Sequence, residues 1–113
     1  FYAMNAIKEA GLEGPIFNNY GDGAFIIYHL HPEVKPVMDA RVDLYGPELY
    51  EEYERTAWDK AAFQAYLDKY DINLVMLKYD QISELRRHYL TGRYEWRVFH
   101  KDPYRIVFLR EKR

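Results

Sequence analysis

The chain has 113 residues, 30% of them charged and 49% hydrophobic, a balance that suits one globular domain with a real core and excludes a disordered chain. With 16 basic and 18 acidic residues its net charge is −2, which leaves no electrostatic footprint for nucleic acid. Cysteine is absent, which excludes disulfides and thiolate metal sites, and the longest apolar stretch, Ala24 to Tyr28, is far below the ~20 residues of a membrane-spanning helix.

Tyr2 to Leu12 carries Met4, Ile7 and Ala10 or Leu12 at the spacing of a short amphipathic helix, which Gly11 and Gly14 stop. Pro15-Ile16-Phe17 reads as a short buried strand. Gly21-Asp22-Gly23 then supplies a turn, with Asp22 placed to cap a helix over Ala24 to Leu30. That helix is apolar nearly all round and is expected to be buried; His31-Pro32 ends it. Val34 to Asp39 reads as the second strand. Gly46-Pro47-Glu48 opens a long helical region, because Pro47 suits a first helical position and Glu48, Glu51 and Glu52 suit a positive helix N-terminus. Its inward stripe is Leu49, Tyr50, Tyr53 and Ala57. A further helix spans Lys60 to Tyr70, capped by Asp59, with Phe63, Tyr66 and Leu67 inward.

Ile72 to Leu77 is a continuous apolar run suited to a strand covered on both faces. A helix follows from Gln81 to Leu90, with Ile82, Leu85 and Tyr89 expected inward and Gly92 terminating it. Trp96, Val98 and His100 alternate with Arg97, Phe99 and Lys101, the pattern of a half-exposed or edge strand. Asp102-Pro103 makes a turn, and Ile106 to Leu109 reads as a more interior last strand. The order αβαβααβαββ predicts an α/β fold: a three-layer, Rossmann-like mixed sheet with three parallel strands, a C-terminal antiparallel hairpin and helices on both faces.

Two polar clusters follow the first two strands: Asn18-Asn19-Tyr20-Gly21-Asp22-Gly23, and Asp39-Ala40-Arg41-Val42-Asp43-Leu44-Tyr45-Gly46. Strand ends of this kind are where open α/β sheets bind ligands. Asn18, Asn19, Asp22, Asp39, Arg41, Asp43 and Tyr45 are therefore the candidate ligand-binding residues. If residues 39–45 are extended, Arg41 stands on one face between Asp39 and Asp43, as an ion-pair network or as the wall of a pocket for a sugar hydroxyl or phosphate. The same pair of acids is the candidate for glycoside hydrolysis, but Arg41 between them would keep both ionised. As a divalent-cation site, Asp39 and Asp43 are short of oxygen ligands.

Other chemistry is thinly represented. His29 and His31 lack a third ligand at fixed spacing. Ser83, the only serine, lies on a helix without a nucleophile's context. Gly21-Asp22-Gly23 is no dinucleotide fingerprint, so no cofactor is expected. Basic residues gather between Arg86 and Arg113, as a solvated face or as a surface for anionic lipid. The 12 tyrosines suit half-buried helix faces or an interaction surface.

Ile16-Phe17-Asn18-Asn19-Tyr20 with Gly23, the Asp39-x-Arg41-x-Asp43-x-Tyr45 spacing and the terminal hairpin together resemble the soluble C-terminal domain of polytopic bacterial or archaeal membrane proteins of the GT-C glycosyltransferase type. The resemblance runs from about Ala6 to Arg110. It departs from that pattern at Asn19, where an acidic residue is expected, and at Asp22-Gly23, which replaces a glycine pair. It implies a fragment of a larger membrane protein, placed on the extracytoplasmic face. The transfer of sugar from a polyprenyl-phosphate carrier would then be carried out elsewhere in the parent. The domain itself would be a noncatalytic accessory module, its partners the membrane-embedded part of the same chain and a glycan or lipid-linked sugar. The alternatives are a small soluble enzyme or nucleotide- or sugar-binding domain using the strand-end cluster, and a pure protein-interaction domain.

Overall fold

In the computed structural model, residues 2–38, 42–90 and 95–111 are described, with the backbone alone at Tyr20 and residues 42–45. Helix α1 spans Tyr2–Glu9 and ends before Gly11, whose φ of 65° lies in the left-handed region where a side chain is strained. Strand β1 is Gly14–Asn18, followed by a single 3-10 turn over Tyr20–Asp22 and helix α2 over Gly23–Leu30. Strand β2 is Val34–Pro36, and α3 runs over Val42–Arg55 with a break at Gly46, so that Pro47 opens the main helical run as expected. Helix α4 is Lys60–Lys69, with Asp59 accepting the Ala62 N–H at 3.0 Å as its N-cap. The chain finishes with β3 at Leu74–Leu77, α5 at Gln81–Leu90, β4 at Trp96–Lys101 and β5 at Ile106–Arg110.

The five strands lie in the order β2-β1-β3-β5-β4. β1 pairs parallel with β2 and β3, whereas β5 pairs antiparallel with β3 and β4. β3 is fully buried, as its unbroken apolar run requires, and β4 and β2 are the two edges. Apolar side chains from the two faces form two cores. Ala3, Met4 and Ile7 of α1 join Ile26 and Leu30 of α2 over Ile16, Leu74, Met76 and Val107. Tyr53, Phe63, Tyr66, Leu67 and Leu90 from α3, α4 and α5 cover Phe17, Val75, Leu77 and Phe108. The sheet is thus the middle of three layers.

Several local expectations are corrected. α2 is buried on one side only: Ile26 and Leu30 are inside, while Phe25 and Tyr28 face solvent. Eight residues on one face of a sheet have a single contact side, and an apolar residue on the far side stays wet. In α5 the inward face is Ser83, Arg86 and Leu90, with Tyr89 packed at its margin; Ile82 and Leu85 are exposed. In α3, Tyr53 is buried but Leu49 and Tyr50 are exposed. β2 stops three residues before Asp39: the Val37 N–H makes a last ladder bond to the Ile16 carbonyl at 3.1 Å while also reaching the Asn18 side chain, and the Met38 N–H beyond it bonds to the Asn18 side chain alone. The alternation in β4 breaks at a bulge between Val98 and His100, and Phe99 packs against the α1–α2 core. Gly92, the expected stop of α5, lies outside the described residues.

Candidate functional site

Because α2 leaves β1 for one face and α5 leaves β3 for the other, the carboxyl ends of β1 and β3 flank a topological switch point, the usual place for a ligand crevice in an open α/β sheet. Asn18, Asn19 and Asp22 follow β1 there, and Lys78, Asp80 and Ser83 follow β3. The antiparallel hairpin adds Asp102 and Arg105, since Ile106 pairs with Leu77.

Asn18 is fully buried and makes a two-sided peg. Its amide N–H groups donate to the Met38 carbonyl at 2.7 Å and the Asn19 carbonyl at 2.8 Å, and its Oδ1 accepts from Val37 N at 3.0 Å and Met38 N at 3.4 Å. Asn19 makes the matching link to β3, with Oδ1 accepting the Lys78 N–H at 2.8 Å and Nδ2 donating to Ser83 Oγ at 2.7 Å. Ser83 is in turn held by its own N–H, which donates to Asp80 Oδ1 at 2.7 Å across the first turn of α5.

Asp22 occupies the N-cap position of α2 but its side chain makes no capping bond. Instead the buried carboxylate takes both arms of the Arg105 guanidinium, Nε and Nη2 each at 2.8 Å, with Lys78 Nζ at 3.8 Å. The planar arginine fork gives this carboxylate, out of reach of water, both a counter-charge and two parallel hydrogen bonds.

Beneath the switch point, Arg86 is 3% exposed and lies against a pair of rings stacked 5.3 Å apart, its guanidinium carbon 5.0 Å from the centroids of both Phe17 and Tyr53. It donates to Thr56 Oγ1 at 3.0 Å and to the Tyr53 carbonyl at 3.3 Å. Burial lowers its pKa from the ordinary value. Among the described residues no carboxylate forms an ion pair with it, although Glu54 and Asp80 act on its charge from a distance. Tyr53 completes the unit: burial pushes its hydroxyl up to about 12, and it donates at 2.6 Å to the Asn18 carbonyl.

The β4–β5 turn is built on Asp102. Oδ1 accepts the N–H groups of Tyr104 at 2.7 Å and Arg105 at 2.8 Å, and Oδ2 meets His100 Nε2 at 2.5 Å. Burial raises the Asp102 pKa, but the His100 contact and the two N–H groups outweigh it and hold the carboxyl below its ordinary value of 3.8. A depressed carboxyl contributes stability that is present above its unfolded value and lost as pH falls through its folded value. Acid unfolding of Asp102→Asn is therefore expected to be shallower than that of the parent below about pH 4. Denaturant midpoints measured across that range decide it, and parallel curves would refute it.

Of the residues singled out in the sequence, Asn18, Asn19 and Asp22 converge on the switch point, and all three are engaged by the chain itself. Asp39 and Arg41 lie outside the described residues, as do the side chains of Asp43 and Tyr45. The backbone from Val42 is helical, so the extended alternation expected to align Asp43 and Tyr45 with Arg41 does not hold there. The C-terminal basic residues do not form a uniformly solvated face. Arg86 is buried, Arg105 pairs with Asp22, Arg110 with Asp68 and Glu95, Arg97 with Glu111, and Arg87 with Glu84. Arg105, Arg86 and Tyr53 were not singled out as site residues. The only sequence signal for Arg86 is its spacing with Ser83 and Leu90, one helical face that the charge disguises.

Among the described residues no group of three or more histidines and carboxylates forms a candidate metal site, and no helix is long and apolar enough to cross a membrane. Fold and site together define a class, a three-layer α/β domain whose switch-point edge is tied by its own side chains. Compared with protein-family models, curated proteins and solved structures, the chain matches none.

Proposed function

We propose that the chain is a noncatalytic accessory module, the extracytoplasmic domain of a GT-C-like membrane glycosyltransferase, binding a ligand or the membrane-embedded part of its own chain. The observation that carries the noncatalytic part of this reading is the spending of Asn18, Asn19 and Asp22 on internal bonds. An acid or base acting on a substrate must be within hydrogen-bond reach of the reacting group and free to exchange a proton with it. Asp22 is instead buried under an arginine fork, and the two asparagines hold strands together. The Asn18-Asn19-Tyr20 and Asp39-x-Arg41-x-Asp43-x-Tyr45 resemblance supports the assignment to the glycosyltransferase parent. The exposed Ile82 and Leu85 on α5 offer an apolar strip for contact with it.

The purified chain, incubated with polyprenyl-phosphate sugars and a panel of glycosides, is expected to show no transfer and no hydrolysis. Turnover that disappears in Asp39→Asn, Asp43→Asn or Asp102→Asn would replace this reading with the small-enzyme alternative.

A further inference from the structure

A cleft of about 370 Å³ opens beside the switch point on the α1 side of the sheet. The buried side chains of Met4 and Met76 form its floor. Tyr2 and Tyr104, exposed 65% and 63%, stand at its mouth, and Asn5, Asp102 and Arg105 supply its polar groups. A concave apolar floor with a few convergent polar groups is the general form of a small-molecule site, and the volume is within the range such sites occupy.

The charges in this cleft decide what it takes. The Arg105 fork is spent on Asp22, and Asp102 has three contacts, to His100 and two backbone N–H groups. An incoming anion would meet the Asp102 carboxylate, and an incoming cation would meet the Arg105 guanidinium. Either meeting sets like charges against each other, so the cleft favours an uncharged ligand. What remains for such a ligand is one-sided. Two tyrosine rings offer flat apolar faces, the Asn5 amide offers a donor and an acceptor, and Asp102 keeps lone-pair capacity beyond its three contacts. A molecule with a C–H face on one side and a ring of hydroxyls at its edge satisfies all of these together.

We propose that this cleft binds a neutral pyranose ring, stacked on Tyr104 with its hydroxyls on Asn5 and Asp102. The proposal deepens the binding-module reading, on which it rests, by giving that module a ligand class and a place. Tyr104 and Asn5 are exposed, so their replacement leaves the fold intact and the test is one of binding.

The 113-residue chain is titrated with methyl glycosides of the common hexoses and N-acetylhexosamines while backbone amide shifts are followed by NMR. Saturable shifts confined to Tyr2–Asn5 and Asp102–Arg105 are expected with at least one glycoside. Tyr104→Ala is expected to weaken that binding about tenfold, and Tyr104→Phe, which keeps the ring, to retain it. Asn5→Ala weakens it as well, with unchanged thermal unfolding. No saturable shift with any glycoside, or shifts confined to another surface, overturns the proposal. So does an equal response of the same amides to inorganic phosphate or tetramethylammonium. The outcomes separate from those of the turnover assay: turnover removes the noncatalytic reading whatever the cleft binds, whereas a silent cleft leaves that reading standing with its ligand or partner elsewhere.

Discussion

Replacing Asp22 by alanine is expected to lower the unfolding free energy by about 3–5 kcal/mol, the cost of breaking a buried, hydrogen-bonded charge pair from one side. The carboxylate is sealed from water and both its oxygens meet the Arg105 fork at 2.8 Å. Without it, Arg105 keeps a charge that is only 15% exposed and has lost its two best hydrogen bonds. The double replacement Asp22→Ala with Arg105→Met removes both charges and is expected to recover much of the loss, because a well-packed apolar pair often stabilises as much as a buried ion pair. Denaturant unfolding of the two single variants and the double variant measures the coupling directly. A loss below about 1 kcal/mol for Asp22→Ala would place this pair with solvated surface pairs and remove it as a clasp between α2 and the terminal hairpin.

Such clasps explain what the sequence could and could not convey. Element type was legible wherever hydrophobic period alone decides it. The continuous run at Leu74–Leu77 reads as a doubly covered strand, the Phe63-Tyr66-Leu67 stripe reads as one face of α4, and the Asp59 cap sits where its side chain can reach Ala62 N. Strand direction followed from the alternation with helices. The face of α5 was not legible, because Ile82-Leu85-Tyr89 and Ser83-Arg86-Leu90 have the same spacing. The choice was made by something period does not encode, namely a stacked pair of aromatic rings from β1 and α3 against which a guanidinium can pack.

The candidate site was legible in part for a related reason. Asn18, Asn19 and Asp22 were found because strand ends collect polar residues, but ligand-binding and strand-fastening side chains look identical in one dimension. What separates them is the partner list, and the partners lie far along the chain: Asp22 and Arg105 are 83 residues apart, and Asn19 and Ser83 are 64 apart. The cleft between α1 and the hairpin was invisible for the same reason, since it assembles Tyr2, Met76 and Tyr104 from three distant segments.

The Asn18 peg has a distinctive signature. Pro36, the last residue of β2, has no N–H to give; beyond it one backbone bond, Val37 N–H to the Ile16 carbonyl at 3.1 Å, is followed by the Asn18 side chain, whose four bonds reach Val37, Met38 and Asn19. Asn18→Ala leaves Met38 N–H and C=O unpaired in a site that water does not reach, and is expected to cost about 2–4 kcal/mol. Asn18→Asp preserves shape and the acceptor but turns the donor into a second acceptor, facing carbonyls that now stand 2.7 and 2.8 Å from Nδ2. At neutral pH that variant is expected to be less stable than Asn18→Ala, since a buried charge is added to the lost bonds. Its folded state binds the proton more tightly than the unfolded chain does, because the protonated carboxyl regains a donor. Its stability is therefore greatest at low pH and falls as pH rises above about 4, opposite in sign to a carboxylate that the fold welcomes. Denaturant midpoints of both variants between acid and neutral pH give the answer. Variants as stable as the parent at every pH would mean that Asn18 is free to serve a ligand, and the strand end would become a binding site again.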